Sequence, residues 1–211
     1  YSTVSQLGFM FIGCGVGAFG AGIFHVYTHA MFKACLFLGA GAVMHACRDQ
    51  QDLRKLGGLK QYIPHTFRTF AIATLAIIGT PGLSGFFSKD EILFRALASH
   101  NTAHPWVGKV AFALGAATAA LTAFYMCRLL FLTFWGEFKG WSLEKPAEVE
   151  GEEHAHGHDE HGHGHGNAWD PPHENPPVMT GPLYVLAGMS IVAGWIGLPY
   201  LFTHKHSVIA H

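Results

Sequence analysis

Two histidines and a lysine stand inside a stretch of sequence apolar enough to cross a bilayer. His25, His29 and Lys33 follow one another at steps of four residues between Gly20 and Ala46. On an α-helix, steps of four drift only slowly round the axis, so these side chains share one stripe with roughly 6 Å between neighbours. Imidazole titrates near neutral pH and an ammonium group can release and regain a proton, so the stripe has the layout of a proton relay. An ionisable group inside a spanning helix costs about 2.5–3.5 kcal/mol on insertion scales and normally faces a bundle interior or a hydrated cavity. The competing reading is packing, with the histidines bonded to neighbouring carbonyls and the lysine snorkelling to the interface. Snorkelling suits helix ends, and Lys33 lies near the middle of the stretch.

A second group of charges follows an interruption. The apolar stretch from Thr66 to His100 is 35 residues long, which as one straight helix would reach about 50 Å against a hydrocarbon core of about 30 Å. Within it, Gly79-Thr80-Pro81-Gly82-Leu83-Ser84-Gly85 places one proline and three glycines in an otherwise continuous pattern, and predicts a helix broken in mid-membrane. Lys89, Asp90 and Glu91 come just after. Non-helical backbone at membrane depth is tolerated where protein buries it or where it lines a cavity, so break and charges point to one polar site. Lys89 would be a second exchangeable group, with Asp90 or Glu91 as its electrostatic partner. The alternative is a charged helix end, where acidic residues near an N-terminus are stabilising in any case.

The elements that must hold these groups are helices. The chain is 50% hydrophobic and 13% charged, against roughly 25% charged in a soluble domain, and its mean hydropathy of +0.24 is diluted by one polar insert. The expectation is an all-α, polytopic transmembrane bundle in a lipid bilayer. A net charge of −1 gives no sign of a nucleic-acid partner. Apolar segments fall at about Val4–Phe19, Gly20–Ala46, Thr66–His100, Trp106–Trp135 and Val178–Phe202, and Gly39 and Gly41 suggest close helix packing in the second. The connection holding Arg48, Arg54, Lys55, Lys60 and Arg68 is basic and is expected on the cytoplasmic side, whereas Ser99–Pro105 has no lysine or arginine and suits the outside. In the fourth segment Thr118, Thr122, Tyr125 and Arg128 form another polar face, and with Thr28 they could line the path. Interhelical hydrogen bonding explains them equally well. Trp106, Trp135 and Trp141 suit interfacial anchors.

From Gly140 to Pro177 the character changes. This stretch carries nine of the fourteen acidic residues and seven of the sixteen histidines, cannot build a core and reads as a flexible loop. Counting crossings from the basic connection places it on the cytoplasmic side. Clustered imidazoles bind Zn²⁺ or Ni²⁺ opportunistically, but without fixed spacing no dedicated metal site is expected. Cys14, Cys35, Cys47 and Cys127 show no CxxC pairing and read as small apolar fillers. There is no cluster-forming cysteine pattern, nucleotide-binding glycine loop or flavin site, so no cofactor is expected. The chain opens in mid-pattern on Tyr1, as a fragment of a longer protein would.

Four motifs together resemble a known family: Tyr1-Ser-Thr-Val-Ser-Gln-Leu-Gly8, Ile23-Phe-His-Val-Tyr-Thr-His-Ala-Met-Phe-Lys-Ala34, Gly57-Gly-Leu59 and Gly85-Phe-Phe-Ser-Lys-Asp-Glu-Ile92. In order and spacing they are similar to the antiporter-like membrane subunits of proton-translocating NADH:quinone oxidoreductase, respiratory complex I. The same motifs occur in multisubunit cation/proton antiporters and membrane-bound hydrogenases. The resemblance covers Tyr1 to about Trp135 and, more loosely, Gly181–Pro199. It implies two inverted repeats, each with a broken helix, of which this chain would hold the second half of the second and the following helices. It places His25, His29 and Lys33 on a central relay, Lys89 on the exit side and Asp90 and Glu91 on the acidic pair that follows. It also implies other complex I membrane subunits as partners, protons and internal water as the transported species and medium, and a bacterial inner membrane as the location. The domains expected are 1–139 as proton-transporting domain, 140–177 as histidine-rich loop and 178–211 as a further helix. The histidine-rich insert lies outside the family's motif.

Three other readings compete. A Na⁺/H⁺ antiporter subunit of the same family would share every motif above. A divalent-metal transporter with a histidine-rich loop would need converging carboxylates or histidines, whereas Lys33 would repel a cation bound to its stripe. In a structural scaffold the intramembrane charges would be replaceable.

Overall fold

The computed structural model describes residues 1–99, 105–138 and 172–197. These residues form six α-helices and one short 3-10 turn: α1 (Ser2–Gly15), α2 (Phe19–Ala46), α3 (Pro64–Ile78), α4 (Ser84–Leu97), α5 (Pro105–Phe134), α6 (Pro177–Val192) and the turn Trp195–Gly197. No strand occurs among them. The histidine-rich run, the tip of the Ser99–Pro105 connection, Trp141 and the end of the last apolar segment lie outside the described residues.

Segment boundaries move where turn chemistry decides them. The first segment, expected to reach Phe19, ends at Gly15, because Gly17 adopts φ +79 and reverses the chain into α2. α3 ends at Ile78 on a left-handed Gly79, φ +92, with the Gly79 and Thr80 amides returning to the Ala76 and Leu75 carbonyls. Pro81 and a second left-handed glycine, Gly82, carry the chain to Ser84, where α4 starts. The fifteen residues of α3 and fourteen of α4 thus run as two short helices in series. Beside them lies α5, thirty residues and about 45 Å long. Its first turn meets the end of α4, where Gly108 lies against the Ala96 carbonyl. Its last turn meets the approach to α3, where Gly58, Leu59 and Lys60 amides donate to Trp135, Thr133 and Phe134 carbonyls. The pair α3–α4 therefore covers the length that α5 covers alone.

Packing is set by small residues. Gly39 of α2 accepts Phe70 of α3 so closely that an added Cβ would stand 2.8 Å from its ring, whereas Gly41 has nothing within 4 Å. Of the two glycines expected to pack, only Gly39 does. One apolar core joins α2, α3, α5 and α6 through Phe32, Leu36, Phe70, Ile77, Phe134 and Leu183; a smaller one joins α1, α2 and α4 through Phe9, Ala21 and Ile92. Cys35 and Cys47 sit in the first core as expected, but Cys14 is exposed. Large apolar side chains also cover the outside, among them Phe11, Phe37, Phe124 and Val178. α2 and residues Trp106–Phe134 of α5 are long and apolar enough to cross a membrane.

Both flanks of the 139–171 insert return to one end of the bundle. Phe138 packs against Tyr62 with ring centroids 4.8 Å apart and the rings tilted. From the far flank, Glu174 accepts from the His65 amide at 2.7 Å and the Thr66 hydroxyl at 2.8 Å, and Asn175 donates to the Ala42 carbonyl at 3.0 Å. α3 has no side-chain cap of its own, since Ile63 occupies the N-cap. A carboxylate over a hundred residues away takes that role. In the basic connection, the Arg54 guanidinium bonds Asp52 and holds its carboxyl below the usual range.

Candidate functional site

The polar residues collect on the boundary between the two apolar cores. α2 supplies His25, whose ring lies 5.9 Å from Phe9 of the smaller core and 6.5 Å from Phe32 of the larger. His25 is fully buried, and its Nδ1 lies 2.9 Å from the Ser88 hydroxyl of α4. The Thr28 hydroxyl donates to the same Ser88 oxygen at 2.9 Å. Two buried side chains of α2 thus share the hydroxyl oxygen of a buried serine on α4, with the Ser84 carbonyl at 3.3 Å as an outlet for the serine proton. A chain of hydroxyls and imidazole of this kind can hand a proton between α2 and α4.

Lys89 enters the same region and the α3–α4 junction explains how. It is 4% exposed, and its Nζ donates to the Ile77 carbonyl and lies 5.3 Å above the Phe9 ring. Ile77 belongs to the last turn of α3, whose carbonyls lose their helical partners when the helix stops. A side chain of α4 therefore satisfies a backbone group that the end of α3 leaves open. Gly85 permits the approach: a Cβ there would strike the Ala76 carbonyl.

The remaining residues singled out from sequence distribute differently. His25 and His29 have ring centroids 6.3 Å apart. Each step of four also turns about 40° round the helix. So from the buried His25 the stripe winds outward, and His29 and Lys33 are only half buried. Lys33 makes no hydrogen bond among the described residues. Asp90 is exposed, and Glu91, though buried, approaches Arg95 at 3.7 Å; neither carboxylate pairs with Lys89. Thr118 and Thr122 return their hydroxyls to the Leu114 and Thr118 carbonyls of their own helix. Tyr125 bonds Ser2 of α1 at 2.9 Å and Arg128 is exposed, so of this face Tyr125 links α5 to α1, and among the described residues none of the four hydrogen-bonds the histidine cluster. Among the described residues no three His, Cys, Asp or Glu side chains gather as metal ligands would.

Sequence reasoning passed over two residues. Ser88, adjacent to Lys89, carries no role in the sequence reading; a hydroxyl preceding a buried lysine is the available signal. Gln6 is fully buried with both amide atoms unpartnered, and its signal was a lone amide in an apolar helix.

An all-helical bundle with apolar outer faces, folded round buried imidazole and ammonium groups at the joint of two short helices, is a membrane domain with an ionisable interior. Residues 1–132 match the model of the transmembrane domain of the NADH:quinone oxidoreductase/Mrp antiporter family, and the chain belongs to that family. It is 46% identical over 208 residues to NAD(P)H-quinone oxidoreductase chain 5 of Picosynechococcus, covering 95% of this chain and 29% of that protein. NADH-quinone oxidoreductase subunit L of Rhodobacter capsulatus is 41% identical over 216 residues, with 97% and 26% covered. Among solved structures, the Mrp complex from Dietzia sp. DQ12-45-1b contains a chain that superposes with a TM-score of 0.72 at 24% identity, over 95% of this chain and 39% of that one. It shares the fold. The chain spans less than a third of the length of these curated relatives.

Proposed function

We propose that the chain is part of a proton-translocating membrane subunit of NADH:quinone oxidoreductase, and moves H⁺ through a buried lysine and histidine relay coupled to quinone reduction elsewhere in the complex. The observation that carries this reading is the His25–Ser88–Thr28 cluster beside Lys89, which bridges α2 and α4 where α3 gives way to α4. α3 and α4 are then the halves of one broken membrane helix within a polytopic bundle. Lys33 takes up a proton at the half-buried end of the stripe, His29 and His25 pass it inward, and Ser88 and Thr28 hold His25 toward Lys89, the exit group. Asp90 and Glu91 act on this path from a distance, through their charge.

Residues 1–139 form the transporting domain, 140–177 a cytoplasmic loop and 178–211 a further helix. The family and the names of the relatives support other complex I membrane subunits as partners and a bacterial inner membrane as the location. The family model covers Mrp antiporters as well, which supports a second reading, a Na⁺/H⁺ antiporter subunit.

The test is Lys33→Ala in the full-length protein, scoring assembly, quinone reduction and proton pumping in membrane vesicles. Loss of pumping from an assembled complex is expected, and unchanged pumping refutes the relay. Antiport driven by added Na⁺ without quinone would favour the second reading.

A further inference from the structure

We propose that Gln6 positions water on the proton path: its amide and the Nε2 atoms of His25 and His29 frame a polar pocket along the α1–α2 seam that takes ordered water. The inference rests on the relay reading above and deepens it.

Gln6 is 0% exposed, and neither its amide oxygen nor its amide nitrogen meets a partner in the chain. Ser5 Oγ beside it is buried and equally unpartnered. Burying such groups without a partner is costly, so the amide there has an occupant to bond. The chain already closes over Gln6, and that occupant must be small enough to fit inside.

Helix register places the pocket. α1 and α2 are antiparallel: Gly13 lies against Gly22, and Phe9 lies 5.9 Å from His25. Three residues further back along α1, Gln6 on the same buried face comes level with His29. On the other side Gly115 of α5 lies against Phe9 and Ile12, and Tyr125 bonds Ser2, which brings Gln6 level with Thr118 and Thr122. His25 spends Nδ1 on Ser88, so Nε2 is the nitrogen left to exchange protons, and it is buried without a partner, as is His29 Nε2.

The chemistry selects water over a metal ion. A carboxamide offers one acceptor and two donors without charge, matching a molecule that both gives and accepts hydrogen bonds. Lys89 over Phe9 and Lys33 on the neighbouring stripe make the region cationic, and Glu91 is turned to Arg95. The lysine ammonium lies over Phe9, one turn along α1 from Gln6, so water at Gln6 links His29 to His25 while Ser88 and Thr28 handle the step toward Lys89.

The experiment compares Gln6→Met, Gln6→Leu and Gln6→Asn in the full-length protein within its complex, using membrane vesicles in H₂O and D₂O. The expected result is that the apolar variants assemble but pump several-fold more slowly, with a larger solvent isotope effect, and that Gln6→Asn recovers part of the rate. Wild-type rate and isotope effect in an assembled apolar variant would overturn the inference. So would failure of both apolar variants to assemble, since the amide would then serve folding. Lys33→Ala measured in parallel separates the two readings. If it stops pumping while Gln6→Met does not, only the Gln6 inference fails; if it pumps normally, the relay fails and this inference with it.

Discussion

Replacing Ser88 by alanine removes one oxygen that two side chains of α2 use. His25 Nδ1 at 2.9 Å loses its partner outright, whereas the Thr28 hydroxyl keeps the His25 carbonyl at 3.2 Å as an alternative acceptor. One buried group is therefore stranded, at a cost of about 1–3 kcal/mol. Alanine is the better helix former by up to about 0.7 kcal/mol, which offsets part of the loss. The net destabilisation is about 0.3–2.3 kcal/mol, measured by denaturant titration of the solubilised full-length protein. Thr118→Ala is the matched control. Its hydroxyl serves only a carbonyl on its own helix, and the change should stay within about 0.5 kcal/mol. Because Ser88 also fixes which nitrogen of His25 faces the pathway, proton transport in Ser88→Ala should fall by more than the loss of folded protein explains. Stability and transport both equal to those of Thr118→Ala would refute the reasoning and reduce the His25–Ser88 contact to coincidence.

At Gly85 an added Cβ would strike the fixed Ala76 carbonyl, so Gly85→Ala should lower stability by about 1–3 kcal/mol or more, as overpacking does. Gly41→Ala, with open space round it, should be neutral or stabilise by about 0.5–1 kcal/mol in the same denaturation assay. Glu174→Ala removes the cap of α3 and should cost about 1–2 kcal/mol, visible as faster hydrogen exchange of the His65 amide. Trp195→Phe deprives the Gly82 carbonyl of its indole donor at 3.0 Å; the expected loss is about 1 kcal/mol, with increased proteolysis near the α3–α4 joint, and unchanged proteolysis would argue that the contact holds nothing in place.

The helices were legible because composition and glycine and proline placement act locally. Their class, their approximate limits and the interruption at Gly79–Leu83 follow from backbone chemistry that a sequence displays directly. Lys33 and the two histidines were legible because a charge in an apolar run is visible without coordinates. The partners were not. A periodicity of four locates residues on a stripe, but the 40° turn per step decides that His25 is buried while His29 and Lys33 lie at its edge, and only the neighbouring helices define where that interior is. Ser88 meeting His25 across 63 residues, Lys89 finding a carbonyl freed in another helix, and Glu174 capping α3 from beyond the insert are contacts between distant parts of the chain. The sequence by itself determined that this protein is a set of apolar helices carrying protonatable groups and one interruption. The tertiary structure alone decided which of those groups meet, because side-chain contact depends on helix register and crossing, and these are set by packing at Gly13, Gly39 and Gly85 rather than by local preference.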